Sequence, residues 1–176
     1  MELQKAFEKR RSIRKYKDKD VTKEQILELL ESARMSPSAR NIQPWRFYIS
    51  RGEEKNKIAK IMKDYHKNNP ENTIGMHSTA LAIEQAPVLI LVFRDSETPL
   101  DRNDTLSMGA SIEHILLKAT EINLGSLWIC AMYKVRKEIA ELVGVNLELY
   151  SMIAIGHADE TPEARPRKKL EEIILN

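Results

Sequence analysis

Apolar residues recur at helical spacing in four stretches of the chain. A short helix is predicted for residues 2–10, and a second begins after Thr22, where Gln25 stands at capping-box spacing, and ends near Arg34 or Met35. A charged amphipathic helix follows over residues 53–65. The longest helix is predicted from Asp104 or Thr105 to Ile122, apolar or small on most of its surface, which indicates a central position and contact with a partner subunit.

Short, dense apolar runs predict the strands. They cover residues 46–50, 87–93 and 149–155, and the run at 87–93 indicates a strand buried on both faces. A further apolar run, 127–132, leads into a helix at 134–143, and residues 80–85 form another helical turn. Residues 66–78 lack a sustained period and are expected to form a mobile loop, while 94–104 form a polar connection. Strands separated by helices predict an α+β sandwich with helices on a central sheet.

Composition narrows the class of protein. The 176 residues suit one domain, 1–176, and 28 basic against 26 acidic residues leave no global basic field that would favour nucleic acid. The single cysteine, Cys130, excludes an intrachain disulfide. No apolar run approaches the thickness of a bilayer, and the first nine residues lack the apolar core of a signal peptide. A soluble, cytoplasmic protein without a membrane partner is therefore expected.

Basic residues cluster near both ends of the chain. Arg10, Arg11, Ser12 and Arg14 combine three guanidinium groups with a hydroxyl, which is the chemistry of a phosphate site. A second cluster, residues 165–169, precedes the apolar tail 173–175. A short basic run by itself is more often a solvated surface than a ligand site.

The loop at residues 35–45 has an unusual composition. Two prolines and two serines accompany the amides of Asn41 and Gln43, and the loop leads directly into a strand. Such a loop often lines a ligand. The alternative is a rigid connector whose Trp45 fills the core.

Familiar catalytic motifs are absent from the sequence. It has no Gly-x-Gly-x-x-Gly, no Walker loop and no Gly-x-Ser-x-Gly, and its four histidines lack metal-ligand spacing, so no metal is expected. Cys130 lies in an apolar run without a neighbouring base, which predicts a buried, inert thiol. Binding side chains without a nucleophile indicate an enzyme whose chemistry resides on a cofactor.

Two motifs resemble the FMN-dependent nitroreductase family. Arg10-Arg11-Ser12-Ile13-Arg14 is similar to the family's R-[RH]-S-x-[RK], and residues 37–45 are similar to its P-S-x-x-N-x-Q-P-W loop. Segments 109–114, 124–129 and 165–167 follow in the order and spacing of the family's central helix, flavin-facing segment and C-terminal basic pair. The resemblance spans nearly the whole chain.

The resemblance implies a nitroreductase-like sandwich with a mainly antiparallel sheet, forming an intertwined homodimer with two FMN sites, each built from both chains. It also implies hydride transfer from NADH or NADPH to a nitroaromatic, quinone or similar acceptor by a ping-pong mechanism, with no catalytic side chain. The tail 173–175 is suited to adding a strand to a neighbour's sheet. The short chain leaves little room for a lid, which predicts an open pocket.

The resemblance also assigns individual residues. The phosphate and ribityl end of FMN would be held by Arg10, Arg11, Ser12, Arg165 and Arg167, and Arg14 would lie near the pyrimidine edge of the ring. The partner chain would contribute Pro37, Ser38, Ala39 and Asn41, and the backbone of Trp128, Ile129 and Cys130 would face the ring. Within the 66–78 segment, Asn68, Asn69 and Asn72 are candidates for contact with the flavin or substrate.

Two other functions fit the same residues. One is a protein that stores or delivers FMN without turnover. The other is a small protein whose basic patch binds phosphorylated ligands or RNA.

Overall fold

The computed structural model of the chain describes residues 2–95 and 102–175. Its sheet has four strands, all antiparallel, in the order β1-β2-β4-β3. The strands are β1 (Trp45–Ser50), β2 (Val88–Arg94), β3 (Gly125–Ile129) and β4 (Glu148–Gly156). The predicted α+β class and antiparallel sheet are confirmed.

Six α-helices accompany the sheet within the described ranges. They are α1 (Leu3–Lys9), α2 (Lys23–Arg34), α3 (Gly52–Asn68), α4 (Met76–Gln85), α5 (Arg102–Glu121) and α6 (Arg136–Leu142). Helices α2 and α5 pack together against one face, and α3, α4 and α6 cover the other. No helix among the described residues combines the length and apolarity that crossing a membrane requires.

Strand β2 divides the core into two layers. Leu89, Leu91 and Phe93 point towards α3, α4 and α6, whereas Val88, Ile90 and Val92 point towards α2 and α5. Because successive side chains of a strand point to opposite faces, a strand buried on both faces must be apolar throughout. The prediction of a doubly buried strand at 87–93 is confirmed, with the strand displaced by one residue.

The predicted mobile loop at 66–78 is wrong, because most of this segment is helical. Helix α3 continues to Asn68, a 3₁₀ turn covers Pro70–Asn72 and α4 already begins at Met76. The Thr73 hydroxyl donates to the Asn69 carbonyl at 2.7 Å and contacts His66 Nδ1 at 2.6 Å, and the Thr73 carbonyl accepts the Met76 amide of α4 at 3.0 Å. These bonds satisfy polar groups locally, so the segment keeps its order without an apolar period.

Several boundaries also differ from the predictions. The apolar run at 127–132 belongs partly to β3, which starts at Gly125. The predicted helix 134–143 is a 3₁₀ turn, Tyr133–Val135, followed by α6. The polar connection at 94–104 lies partly outside the described residues, and α5 begins at Arg102. The capping box is confirmed: the Thr22 side chain accepts from Gln25 N, and the Gln25 side chain accepts from Thr22 N.

The two ends of the chain meet beside β3 and β4. Ser12 forms a parallel bridge with Ser126, and Tyr16 an antiparallel bridge with Ala158. Beyond a 3₁₀ turn at Leu170–Glu172, the apolar side chains of Ile173, Ile174 and Leu175 are exposed in the single chain. Addition of this tail to a neighbour's sheet stays a prediction.

Candidate functional site

A cleft of about 540 Å³ lies between the N-terminal and C-terminal basic clusters. It is lined by Phe7, Glu8, Arg10, Arg11, Ser12, Arg14, Pro162, Glu163, Ala164, Arg165 and Arg167. The structure therefore brings together, in one cleft, the six predicted phosphate-end and ring-edge residues from both ends of the chain.

The N-terminal arginines are positioned by the end of α1 and by β3. The Arg10 amide donates to the Ala6 carbonyl at 2.9 Å and closes the helix, after which the Ile13 amide donates to the Ser126 carbonyl at 2.9 Å. Ile13 is buried against Gly125, where an added Cβ would stand only 3.0 Å from the isoleucine side chain. Because alternate residues of an extended segment face opposite sides, burying Ile13 exposes Ser12 and Arg14.

The guanidinium groups in the cleft differ in their hydrogen bonds. Arg11 Nη1 donates to the carbonyls of Glu8 (2.7 Å) and Arg10 (2.8 Å), while its Nε is buried without a partner among the described residues. The side chains of Arg10, Arg165 and Arg167 make no hydrogen bond or ion pair with any part of the chain that the structure describes. A buried orphan donor among unpaired cations fits a phosphate group, whose oxygens would accept these donors.

The positive charge of Arg10 acts on an acidic residue of helix α5. Burial raises the pKa of Glu113 on α5, and the positive charges of Arg10 and His114 partly oppose that shift. Arg10 therefore has an acidic neighbour on α5 besides the two acidic residues, Glu8 and Glu163, that line the cleft.

The loop at residues 35–45, which is predicted to contact the flavin, lies outside the arginine cleft. Pro37, Ser38 and Ala39 line a separate depression of about 230 Å³ against α5, together with Asn103, Leu106, Ser107 and Ala110. The Ala39 amide donates to the Ser107 hydroxyl at 3.2 Å. Neither these residues nor Asn41 line the arginine cleft, so a single chain does not unite the two predicted parts of the site.

The loop has a strained backbone. Arg40, Asn41 and Gln43 adopt φ values of 53°, 57° and 51°, in the left-handed region that residues with a side chain rarely occupy. The Ser38 hydroxyl accepts the Gln43 amide at 3.0 Å and holds the loop closed. Backbone strain of this kind is concentrated at functional sites. Trp45, which follows the loop, is buried and so fills part of the core, as the alternative interpretation predicted, while a role of the loop in binding a ligand stays a prediction.

The predicted flavin-facing segment is organised by a serine that sequence reasoning missed. Trp128 Nε1 donates to the buried Ser151 hydroxyl at 2.8 Å, and that hydroxyl donates to the Ile129 carbonyl at 2.9 Å. Ser151 belongs to β4, next to Met152, which pairs with Ile129 of β3. The approach of Ser151 to Trp128 therefore depends on the register of β4 against β3, which no motif in the sequence reveals.

Cys130 corrects one prediction. Its thiol is exposed rather than buried. Strand β3, one of the two edge strands of the sheet, ends at Ile129, so Cys130 lies beyond the strand and outside the core. Its Sγ lies 3.9 Å from Ser151 Oγ. Trp128, Ile129 and Cys130 are not part of the arginine cleft. Across residues 2–95 and 102–175 no three histidine, cysteine or acidic side chains are grouped suitably for a metal ion.

The sequence model of the nitroreductase family matches residues 7–157, which includes the N-terminal arginines, the strained loop and all four strands. This chain belongs to the nitroreductase family. The match ends before Arg165 and Arg167, so the second half of the cleft lies just outside it.

Individual relatives of this nitroreductase-family chain cover almost its full length. A protein from Bacillus subtilis (strain 168) named as an NAD(P)H nitroreductase, YfhC, is 29% identical over 170 residues, which are 93% of this chain and 88% of the relative. A structure from Desulfovibrio desulfuricans, described as a nitroreductase in complex with FMN, has a TM-score of 0.83 and 27% identity, covering 100% of this chain and 96% of the other.

The fold is also shared with a more distant structure. The FMN and NADPH-dependent nitroreductase NfnB from Sphigopyxis sp. strain HMH has a TM-score of 0.86 at 19% identity, covering 99% of this chain and 98% of that one. The predicted family and its fold are therefore confirmed.

Proposed function

We propose that this chain is an FMN-dependent oxidoreductase that takes hydride from NADH or NADPH and reduces a nitroaromatic, a quinone or a similar electron-poor acceptor by a ping-pong mechanism. The observation that carries the proposal is the arginine cleft, where cations from opposite ends of the chain converge around the buried, unpartnered Arg11 Nε. The predicted enzyme class and cofactor agree with the FMN and NAD(P)H named for its relatives.

The cleft would hold the phosphate end of FMN. Arg10 and Arg167 can turn towards an anion without breaking a bond among the described residues, and Arg11 offers its free Nε. Ser12 adds a hydroxyl, and Arg165 adds a further positive charge. Binding energy at this remote group orients the reactive end of the cofactor without taking part in the chemistry.

When bound, FMN supplies the two-electron chemistry that the side chains lack. The residues around it would bind and orient. Arg14 would place a positive charge at the pyrimidine edge, where reduction adds negative charge, and the backbone of Trp128, Ile129 and Cys130 would line the ring. The Trp128 indole donates to the Ser151 hydroxyl, which in turn donates to the Ile129 carbonyl, and these two bonds keep the segment in one arrangement.

We further propose that the working unit is a homodimer. The loop with Pro37, Ser38, Ala39 and Asn41 does not reach the arginine cleft of its own chain, which is the arrangement expected when a partner supplies it. The loop also lies beside the exposed Leu106 of α5, an apolar side chain that a partner could cover.

The decisive experiment is anaerobic reduction of the purified protein. The protein loaded with FMN should lose its yellow absorbance when NADH or NADPH is added, and a nitroaromatic or quinone should restore it. A bound flavin that does not bleach would contradict the reductase function and leave FMN storage. A protein that binds no flavin, and instead binds nucleic acid in a salt-sensitive way, would contradict the whole proposal.

A further inference from the structure

The two halves of the arginine cleft are joined by a short ladder between residues 14–17 and 157–160. The Lys17 amide donates to the His157 carbonyl at 2.8 Å, and the Asp159 amide donates to the Lys15 carbonyl at 2.9 Å. Between these bonds, Tyr16 forms its bridge with Ala158. This ladder fixes where the C-terminal segment leaves the sheet.

One carboxylate ends the ladder on the side of the cleft. Oε1 of the half-buried Glu160 accepts the Arg14 amide at 2.5 Å and the Lys15 amide at 3.2 Å. Two successive backbone donors therefore share one charged oxygen, an arrangement stronger than neutral hydrogen bonds. Glu160 stands two residues before Pro162 and five before Arg165, both of which line the cleft.

We infer that Glu160 is a positioning residue for anion binding. Its carboxylate fastens the C-terminal segment to the backbone beside Arg14, so that Arg165 and Arg167 face Arg10 across the cleft. Pro162 and Pro166 restrict the backbone between the fastening and the last arginine, so the position set at Glu160 is passed on to Arg167. The identity of the anion as FMN depends on the proposed function, whereas the attachment of the C-terminal segment by Glu160 does not.

The role of Glu160 has two separable parts, because the same carboxylate also places a negative charge beside Arg14, which lines the cleft. Glu160→Ala removes both the acceptor and the charge. Glu160→Gln keeps an oxygen that can accept both amides and removes only the charge. Glu163 lines the same cleft without a hydrogen bond or ion pair among the described residues, so Glu163→Gln is the matched control for charge alone.

The test combines hydrogen exchange with binding, on the full-length chain. Exchange of the Arg14 and Lys15 amides and of residues 157–175 is measured without cofactor. Affinity is then measured for FMN by fluorescence and for inorganic phosphate by calorimetry. We expect Glu160→Ala to speed exchange of the two amides and to weaken binding of both probes by about tenfold. Glu160→Gln should restore slow exchange and bind both probes at least as tightly as the natural chain, and Glu163→Gln should leave exchange unchanged.

Several results would overturn the inference. One is slow exchange of the two amides in Glu160→Ala. Another is fast exchange in Glu160→Ala with an undiminished affinity for phosphate. A third is that Glu160→Gln matches Glu160→Ala in both exchange and affinity. Failure of the natural chain to bind phosphate would also overturn it. Failure to bind FMN with phosphate binding intact would instead refute the proposed cofactor, and exchange and phosphate affinity would still decide the role of Glu160.

Discussion

The arginine side chains of the cleft differ in how many hydrogen bonds they make with the rest of the chain. Arg11 already donates to two carbonyls at the end of α1, so its position is set before any ligand arrives. Arg10 and Arg167 have no such bonds among the described residues, and their donors remain available. We therefore expect the loss of either side chain to weaken binding of the cofactor strongly and to change the stability of the fold little.

Arg10→Ala and Arg167→Ala should each release FMN while leaving the fold intact. Each removes a charge-assisted contact worth about 1.5–3 kcal/mol, or roughly a tenfold to hundredfold loss of affinity. The flavin absorbance per chain of the purified protein measures the effect, and circular dichroism checks the fold. Arg34→Ala is the control, because Arg34 pairs with Glu31 on the exposed surface of α2. Equal flavin content in all the variants would contradict the prediction.

Tyr16 should make stability sensitive to alkaline pH. Its hydroxyl is buried and donates to the Ile13 carbonyl at 2.7 Å, and burial, followed by the charge of Glu160, raises the pKa of Tyr16 far above its ordinary value. Above about pH 10 the unfolded chain loses this proton and the folded chain keeps it, so the free energy of unfolding falls as pH rises.

Tyr16→Phe removes that titration along with the hydrogen bonds of the hydroxyl to the carbonyls of Ile13 and, at 3.3 Å, Ala154. Urea unfolding should show a variant less stable by about 1 kcal/mol at pH 7, with a shallower decline above pH 10. Between pH 6 and 9 the two stability curves should run parallel, which serves as the internal control. An equally steep alkaline decline in Tyr16→Phe would show that other groups cause it.

At the scale of elements, hydrogen bonds near the ends of helices determine where helices begin and how neighbouring helices are connected. The capping box starts α2 at the position that the sequence predicts. The bonds among His66, Asn69 and Thr73 tie the end of α3 to Thr73, whose carbonyl accepts the first amide of α4, across a segment whose sequence predicts a loop. Both devices satisfy backbone or side-chain polar groups, but only the capping box has a spacing that can be recognised without the structure.

Thr22→Ala should therefore lower the free energy of unfolding by about 1 kcal/mol, because the Gln25 amide loses its acceptor. Urea denaturation with an unchanged m-value measures the loss. Thr22→Ser keeps the hydroxyl and should retain most of the stability. If the serine variant were as unstable as the alanine variant, the methyl group rather than the cap would be responsible.

At the scale of the whole molecule, the arginine cleft and the strained loop belong to different regions of one chain. If the proposed dimer is correct, each site takes its cleft from one subunit and its loop from the other. A monomer in sedimentation at micromolar concentration would contradict the dimer. A stricter test is whether two defective chains can complement each other.

We expect a chain with Arg10→Ala and Arg167→Ala, mixed with a chain carrying Asn41→Ala, to recover flavin binding. After free exchange of subunits, half of the dimers are mixed and each of these has one intact site, so about one quarter of the sites should bind FMN with full affinity. Equilibrium titration of the mixture, compared with each variant alone, measures this fraction. No recovery despite proven exchange would place loop and cleft in the same subunit.

Local patterns within the sequence determined much of this protein. Capping at Thr22, the doubly buried strand β2 and the basic cluster at 10–14 depend on neighbours within a few residues, and their chemistry can be recognised without coordinates. Those patterns, with the family resemblance, predict the fold class and the residues of the proposed site.

Only the tertiary structure decided how distant residues meet. Three contacts join residues that are far apart in the chain: the juxtaposition of Arg10 with Arg167, the bond from Trp128 to Ser151 and the fastening of Arg14 by Glu160. The exposure of Cys130 likewise follows from β3 ending at Ile129. Pairing of strands and docking of the chain ends depend on the packing of the whole core, and no local spacing encodes them.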